Sequence, residues 1–85
     1  MRVVVHLGEP FWRAAGKREV EVVLAEGATV ADAFSALKKL HPALAAELDN
    51  DEAQPAIFVS DEEAGLESPL SEGEKIYVVW PVSGG

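Results

Sequence analysis

The chain has 85 residues, room for one small domain and no more, and an apolar content of 48% argues against disorder. Fifteen acidic residues against seven basic give a formal net charge of −8, a surface that repels nucleic-acid backbone and anionic lipid. Cysteine is absent, which excludes a disulfide scaffold, a thiolate zinc site and a cysteine nucleophile within the chain. The opening run Met1–Leu7 lacks the length and cleavage site of a signal peptide, and no stretch approaches the roughly 18 apolar residues that span a membrane. A cytoplasmic protein without nucleic-acid or membrane partners is expected; a basic protein partner fits the charge.

In chain order, Arg2 to Leu7 predicts a first strand. The connection from Gly8 to Gly16 holds a short helical turn and closes at its second glycine. Arg18 to Leu24 alternates charged and apolar residues, so Val20 and Val22 face a core and the segment pairs back on the first strand. A helix then starts at a clear signal: Thr29 is an N-cap residue, and Asp32 three positions on makes a variant of the capping box. Val30, Ala33, Phe34, Leu37 and Leu40 recur at helical spacing as its apolar face. Pro42 ends this helix and opens a second, with Leu44 and Leu48 inward and Asp49-Asn50 at its close. Ala56 to Val59 predicts a third strand and Lys75 to Trp80 the last, with a minor strand near Leu66 to Ser68.

A helix crossing between the second and third strands returns the chain to the same sheet, so some strands pair in parallel. The expected fold is α+β: a mixed sheet of four or five strands on one main helix, the β-grasp architecture. No repeat or linker divides the chain, and residues 1–85 read as a single domain.

Candidate sites within the body are weak. The acidic stretches Glu47–Glu52 and Asp61-Glu62-Glu63 lack the spaced ligands and glycine of a calcium loop and read as solvated turns. His6 and His41 lack metal-ligand spacing and read as structural, so no metal site is expected. Phe11 and Trp12 are either core, the slightly favoured reading, or interface. Trp80 is either core or an exposed anchor for a partner.

The end of the chain is different. Trp80-Pro81-Val82-Ser83-Gly84-Gly85 follows a strand and narrows to two residues without a side chain. Residues 81–85 therefore read as a flexible tail, slim enough to thread the Gly85 carboxylate into another protein's active site. Ser83 has no base beside it and reads as a spacer. A frayed terminus is the alternative reading.

The last seventeen residues, Pro69-Leu70-Ser71-Glu72-Gly73-Glu74-Lys75-Ile76-Tyr77-Val78-Val79-Trp80-Pro81-Val82-Ser83-Gly84-Gly85, resemble the C-terminal signature of the molybdopterin synthase small subunit. The opening strand, the glycine at position 16 and the Thr29-Val30 helix start are also similar to that family, which belongs to the ubiquitin-like sulfur carriers. Three features depart from it, the first being that the Phe11-Trp12-Arg13 connection fits the family's usual helix entry only with a shift. Trp80 stands before Pro81 where many members have a second proline, and the third strand runs on into Ser60-Asp61-Glu62-Glu63 instead of an Asn-containing turn.

The resemblance implies that an adenylyltransferase related to ubiquitin-activating enzymes joins the Gly85 carboxylate to AMP, consuming ATP, and that a sulfur donor protein then displaces AMP. The product is a thiocarboxylate at Gly85. It further implies that Trp80, Pro81, Val82, Ser83 and Gly84 bind the partner, a molybdopterin synthase large subunit, in which the sulfur attacks the pterin precursor of the molybdenum cofactor. On this reading the chain binds no cofactor and is not an enzyme on its own. Alternatives are a sulfur carrier for tRNA thiolation or thiazole synthesis, a ubiquitin-like protein modifier, and a non-catalytic interaction module.

Overall fold

The structure, a computed structural model, describes residues 1–9, 11–49 and 55–80. Its elements follow the order β1 (Arg2–Leu7), α1 (Phe11–Ala15), β2 (Glu19–Val23), α2 (Val30–Leu40), α3 (Ala43–Leu48), β3 (Ala56–Val59), β4 (Glu62–Ala64) and β5 (Lys75–Val79). The strands form one five-stranded sheet in the order β2-β1-β5-β3-β4. β1 pairs with β2 antiparallel and with β5 in parallel, and β5 pairs with β3 antiparallel. This is the expected β-grasp arrangement. Among the described residues no helix is long and apolar enough to cross a membrane.

Alternation of side chains decides which face is covered. Val3, Val5 and Leu7 of β1, Val20 and Val22 of β2, and Ile76 and Val78 of β5 all point inward and are buried. Val30, Ala33, Phe34 and Leu37 of α2 meet them from the helical side. Each fully buried aliphatic or aromatic side chain contributes about 1.5–3 kcal/mol relative to exposure. Leu40, expected on the same helical stripe, is exposed. At 100° per residue it lies on the stripe's edge, about 70° from the centre, and it is the last residue of the helix.

The start of α2 is built as its sequence predicts. The Asp32 carboxylate accepts the Thr29 backbone N–H at 2.8 Å and the Thr29 hydroxyl at 3.2 Å, which satisfies a donor that the first turn would leave unpaired. At the far end of the helical layer, the Lys38 ammonium bonds Asp49, which caps α3. The acidic stretch from Glu47 is therefore partly helix, and its residues 50–52 lie outside the described ones.

The minor strand does not fall at Leu66–Ser68. It is β4, Glu62–Ala64, so Glu62 and Glu63 are strand and only Asp61 remains in the turn. The turn is a two-residue loop of Ser60 and Asp61, both at positive φ (51° and 69°), the twist that joins antiparallel strands tightly. Ser68 and Leu66 instead accept the Val30 and Ala31 N–H groups through their backbone carbonyls, tying the loop to the start of α2.

Candidate functional site

β5 carries the chain toward its C-terminal segment, and its position fixes where that segment leaves. It lies at the centre of the sheet with β1 on one side and β3 on the other. Ile76 and Val78 are fully buried, so the strand is held by a ladder on both edges and by packing beneath. Trp80 follows it directly. Residues 81–85, where Pro81, Val82, Ser83, Gly84 and Gly85 were assigned the partner contact and the chemistry, lie outside the described residues.

Three features form the exit. The Gly8 N–H donates to the Val78 carbonyl at 2.8 Å, extending the β1–β5 ladder one residue beyond Leu7. A Cβ on Gly8 would meet that carbonyl oxygen at 3.4 Å and the Val79 Cα at 3.5 Å, ordinary contact distances, so this position packs directly on the end of β5. The Gly8 carbonyl then accepts the Trp12 N–H at 3.1 Å, which places α1 over the end of the strand.

α1 supplies an aromatic floor. Phe11 is fully buried, as expected, and the Trp80 indole leans on it with centroids 5.9 Å apart and planes inclined by 45°. Trp80 remains 36% exposed. Both readings of Trp80 therefore hold in part: one side packs on the core and the rest presents apolar surface where the tail begins. Trp12 is half-buried and packs against the core, and the guanidiniums of Arg13 and Arg18 lie over its ring, their Cζ atoms 4.9 Å and 4.5 Å from its centroid. Arg13 also bonds Glu9 at 2.9 Å. That hydrogen bond first, and the Arg13 charge second, hold the Glu9 carboxyl below the usual carboxylate range.

The histidines sit away from this exit in ordinary roles. His6 stacks on Tyr77 across the β1–β5 pair on the uncovered face, centroids 4.6 Å apart, with its Nδ1 3.4 Å from Glu19. His41 closes α2 by donating its N–H to the Leu37 carbonyl. Among the described residues no three of His, Asp and Glu stand together as a metal site. The described part thus offers a packed body with one defined end at which β5 runs into Trp80.

Gly8 and Arg18 were not visible as parts of this site in the sequence. Gly8 follows a strand as many loop glycines do, and Arg18 reaches Trp12 only because β2 folds back along β1.

The comparisons with known proteins agree with this architecture. The ThiS family model matches residues 5–85. SAMP1 from Haloferax volcanii, a small archaeal modifier protein, is 30% identical, with a TM-score of 0.88 and full coverage of both chains. A chain assigned as molybdopterin converting factor, subunit 1, from Pyrococcus furiosus is 27% identical with a TM-score of 0.80, covering 96% of this chain and 99% of that one. A chain of the Amycolatopsis orientalis BexX/CysO complex is 25% identical with a TM-score of 0.73, covering 98% and 99%. No curated protein sequence matches.

Proposed function

The chain belongs to the ThiS family, and we propose that it is a sulfur carrier whose working group is the Gly85 carboxylate. A carboxylate is a poor electrophile because oxide is a poor leaving group. An adenylyltransferase overcomes this by forming the Gly85 acyl-adenylate and releasing pyrophosphate. A sulfur nucleophile at the sulfide level, supplied by a donor protein, then adds to the acyl carbon and expels AMP. Gly85 is left as a thiocarboxylate. In the large subunit of molybdopterin synthase the sulfur attacks the pterin precursor, and water returns Gly85 to the carboxylate. ATP is spent by the activating partner, and this chain contributes no acid, base or metal to any step.

The observation that carries this reading is the continuity of the family match through residue 85 with the exit of the chain from the centre of the sheet. A strand locked on both edges holds Trp80 in place, so engaging the residues after it costs little ordering of the body. The partner requirement is supported by the relative found in a two-protein complex. ATP–pyrophosphate exchange by the purified adenylyltransferase of the source organism tests it: the full chain supports exchange, and the chain lacking Gly85 does not.

A second reading shares the activation step and differs in the acceptor. The 30% identity and full mutual coverage with a small archaeal modifier protein favour a modifier, in which a lysine amine attacks the Gly85 acyl group and forms an isopeptide bond. Lysine-linked mass adducts of the chain on cellular proteins distinguish it from a carrier confined to the pterin.

A further inference from the structure

The charge of the molecule is unevenly placed along the strand axis. β1 and β5 run the same way and β2 runs back, so the start of β2 lies at the end of the sheet from which the tail departs. Three of the seven basic residues, Arg13, Lys17 and Arg18, gather there. The Leu7 N–H bond to the Arg18 carbonyl, 2.8 Å, fixes that placement. The opposite end, where β5 begins, carries Asp61, Glu72 and Glu74 against a single Lys75 around one open depression. A chain of net charge −8 thus keeps its arginine fork at the end of the sheet where β5 runs into Trp80.

The fork is also structured. Two guanidiniums share the Trp12 indole, and stacking on an aromatic face leaves the edge N–H donors of an arginine free for a planar, two-oxygen acceptor. Arg13 spends one donor on Glu9. The other nearby carboxylate, Glu19, lies against His6. Arg18 is exposed and in no ion pair among the described residues, although the Glu9 carboxylate nearby also feels its charge.

The geometry points to this corner as a docking surface for the adenylyltransferase that activates the tail, with Arg18 engaging a carboxylate at the rim of that protein's tail channel and Trp80 packing beside it. This rests on the carrier reading above. The guanidiniums do not serve the adenylate itself. The five residues beyond Trp80 span up to about 17 Å when extended, so the reacting carbon lies deep in the partner while the fork stays at the mouth. Nucleic acid is a poor occupant for so acidic a protein. A second copy, docking its acidic end on this corner, is opposed by the like net charge of both molecules.

The test uses the full chain and the source organism's purified adenylyltransferase, with binding measured at low and high salt for wild type, Arg18→Glu and Arg18→Lys. Arg18→Glu weakens binding about tenfold or more at low salt, and the deficit shrinks as salt rises. Arg18→Lys, which keeps the charge and loses the planar fork, falls between the two. Equal binding by wild type and Arg18→Glu overturns the assignment while leaving the carrier reading intact. Wild-type protein that neither binds nor is adenylated fails the carrier reading itself. A wild-type dimer in sedimentation velocity that Arg18→Glu dissociates assigns the corner to a second copy and overturns the partner. Melting temperatures of the variants confirm that the body is folded.

Discussion

The Trp80 indole rests on the buried ring of Phe11, centroids 5.9 Å apart, and so joins the last described residue of the chain to the first residue of α1. The two members of this pair do different work. Phe11 is fully enclosed, and Phe11→Ala costs about 3–5 kcal/mol by loss of transfer energy and the cavity left behind. Trp80 is about a third exposed, and Trp80→Ala costs less, about 2–3 kcal/mol, from the ring pair and its partly buried area together. Urea unfolding of the two variants reads both values. On the carrier account, Trp80→Ala loses more in partner binding than in stability.

The cap of α2 gives a second expected outcome. Asp32→Ala removes the carboxylate that accepts the Thr29 N–H and hydroxyl, and costs about 1 kcal/mol. For a domain of this size that lowers the melting temperature by roughly 4–8 °C. Asp32→Asn, which keeps an acceptor oxygen, recovers part of the loss.

The β3–β4 turn predicts a change of the opposite sign. Asp61 holds a φ of 69° without being glycine, and a left-handed residue with a Cβ carries roughly 1–2 kcal/mol of strain, somewhat less for Asp. Asp61→Gly relieves it at the turn position where glycine is preferred. A gain of up to about 1 kcal/mol is expected, reduced by the extra freedom of glycine in the unfolded chain. Thermal unfolding checks the sign.

Glu9 supplies a prediction in pH. Its carboxyl is held below the usual range by the Arg13 hydrogen bond and charge, so the folded protein binds this proton less readily than the unfolded chain does. The stabilisation is complete above the unfolded-state pKa and is lost as pH falls through the depressed folded-state value. In a carboxyl-carbon NMR titration Glu9 has a midpoint below that of an ordinary exposed glutamate. In Arg13→Gln its midpoint rises toward the ordinary range, with Trp12 and Arg18 still drawing it down.

Much of this fold is legible in the sequence because its signals are local. The alternation Glu19-Val20-Glu21-Val22 sorts β2 into two faces, and Thr29 with Asp32 marks the start of α2 within a single turn. β4 is hidden for a physical reason. It is a three-residue edge strand of mostly acidic residues, held by its backbone ladder to β3 rather than by apolar side chains. Leu66, the apolar residue that suggested a strand nearby, is exposed. The site divides the same way. Trp80 and the tail after it are visible in the order of residues, whereas the Gly8–Val78 approach and the Arg18–Trp12 stack depend on the parallel and antiparallel neighbours of β1.

The central claim is that sulfur is carried on Gly85, and intact-mass spectrometry of the full chain after incubation with its adenylyltransferase, ATP and sulfide tests it most directly. The account predicts a gain equal to one oxygen-for-sulfur exchange, placed on Gly85 by fragmentation and absent when Gly84 and Gly85 are deleted. An unchanged mass while the enzyme is active, or a gain that survives the deletion, contradicts it.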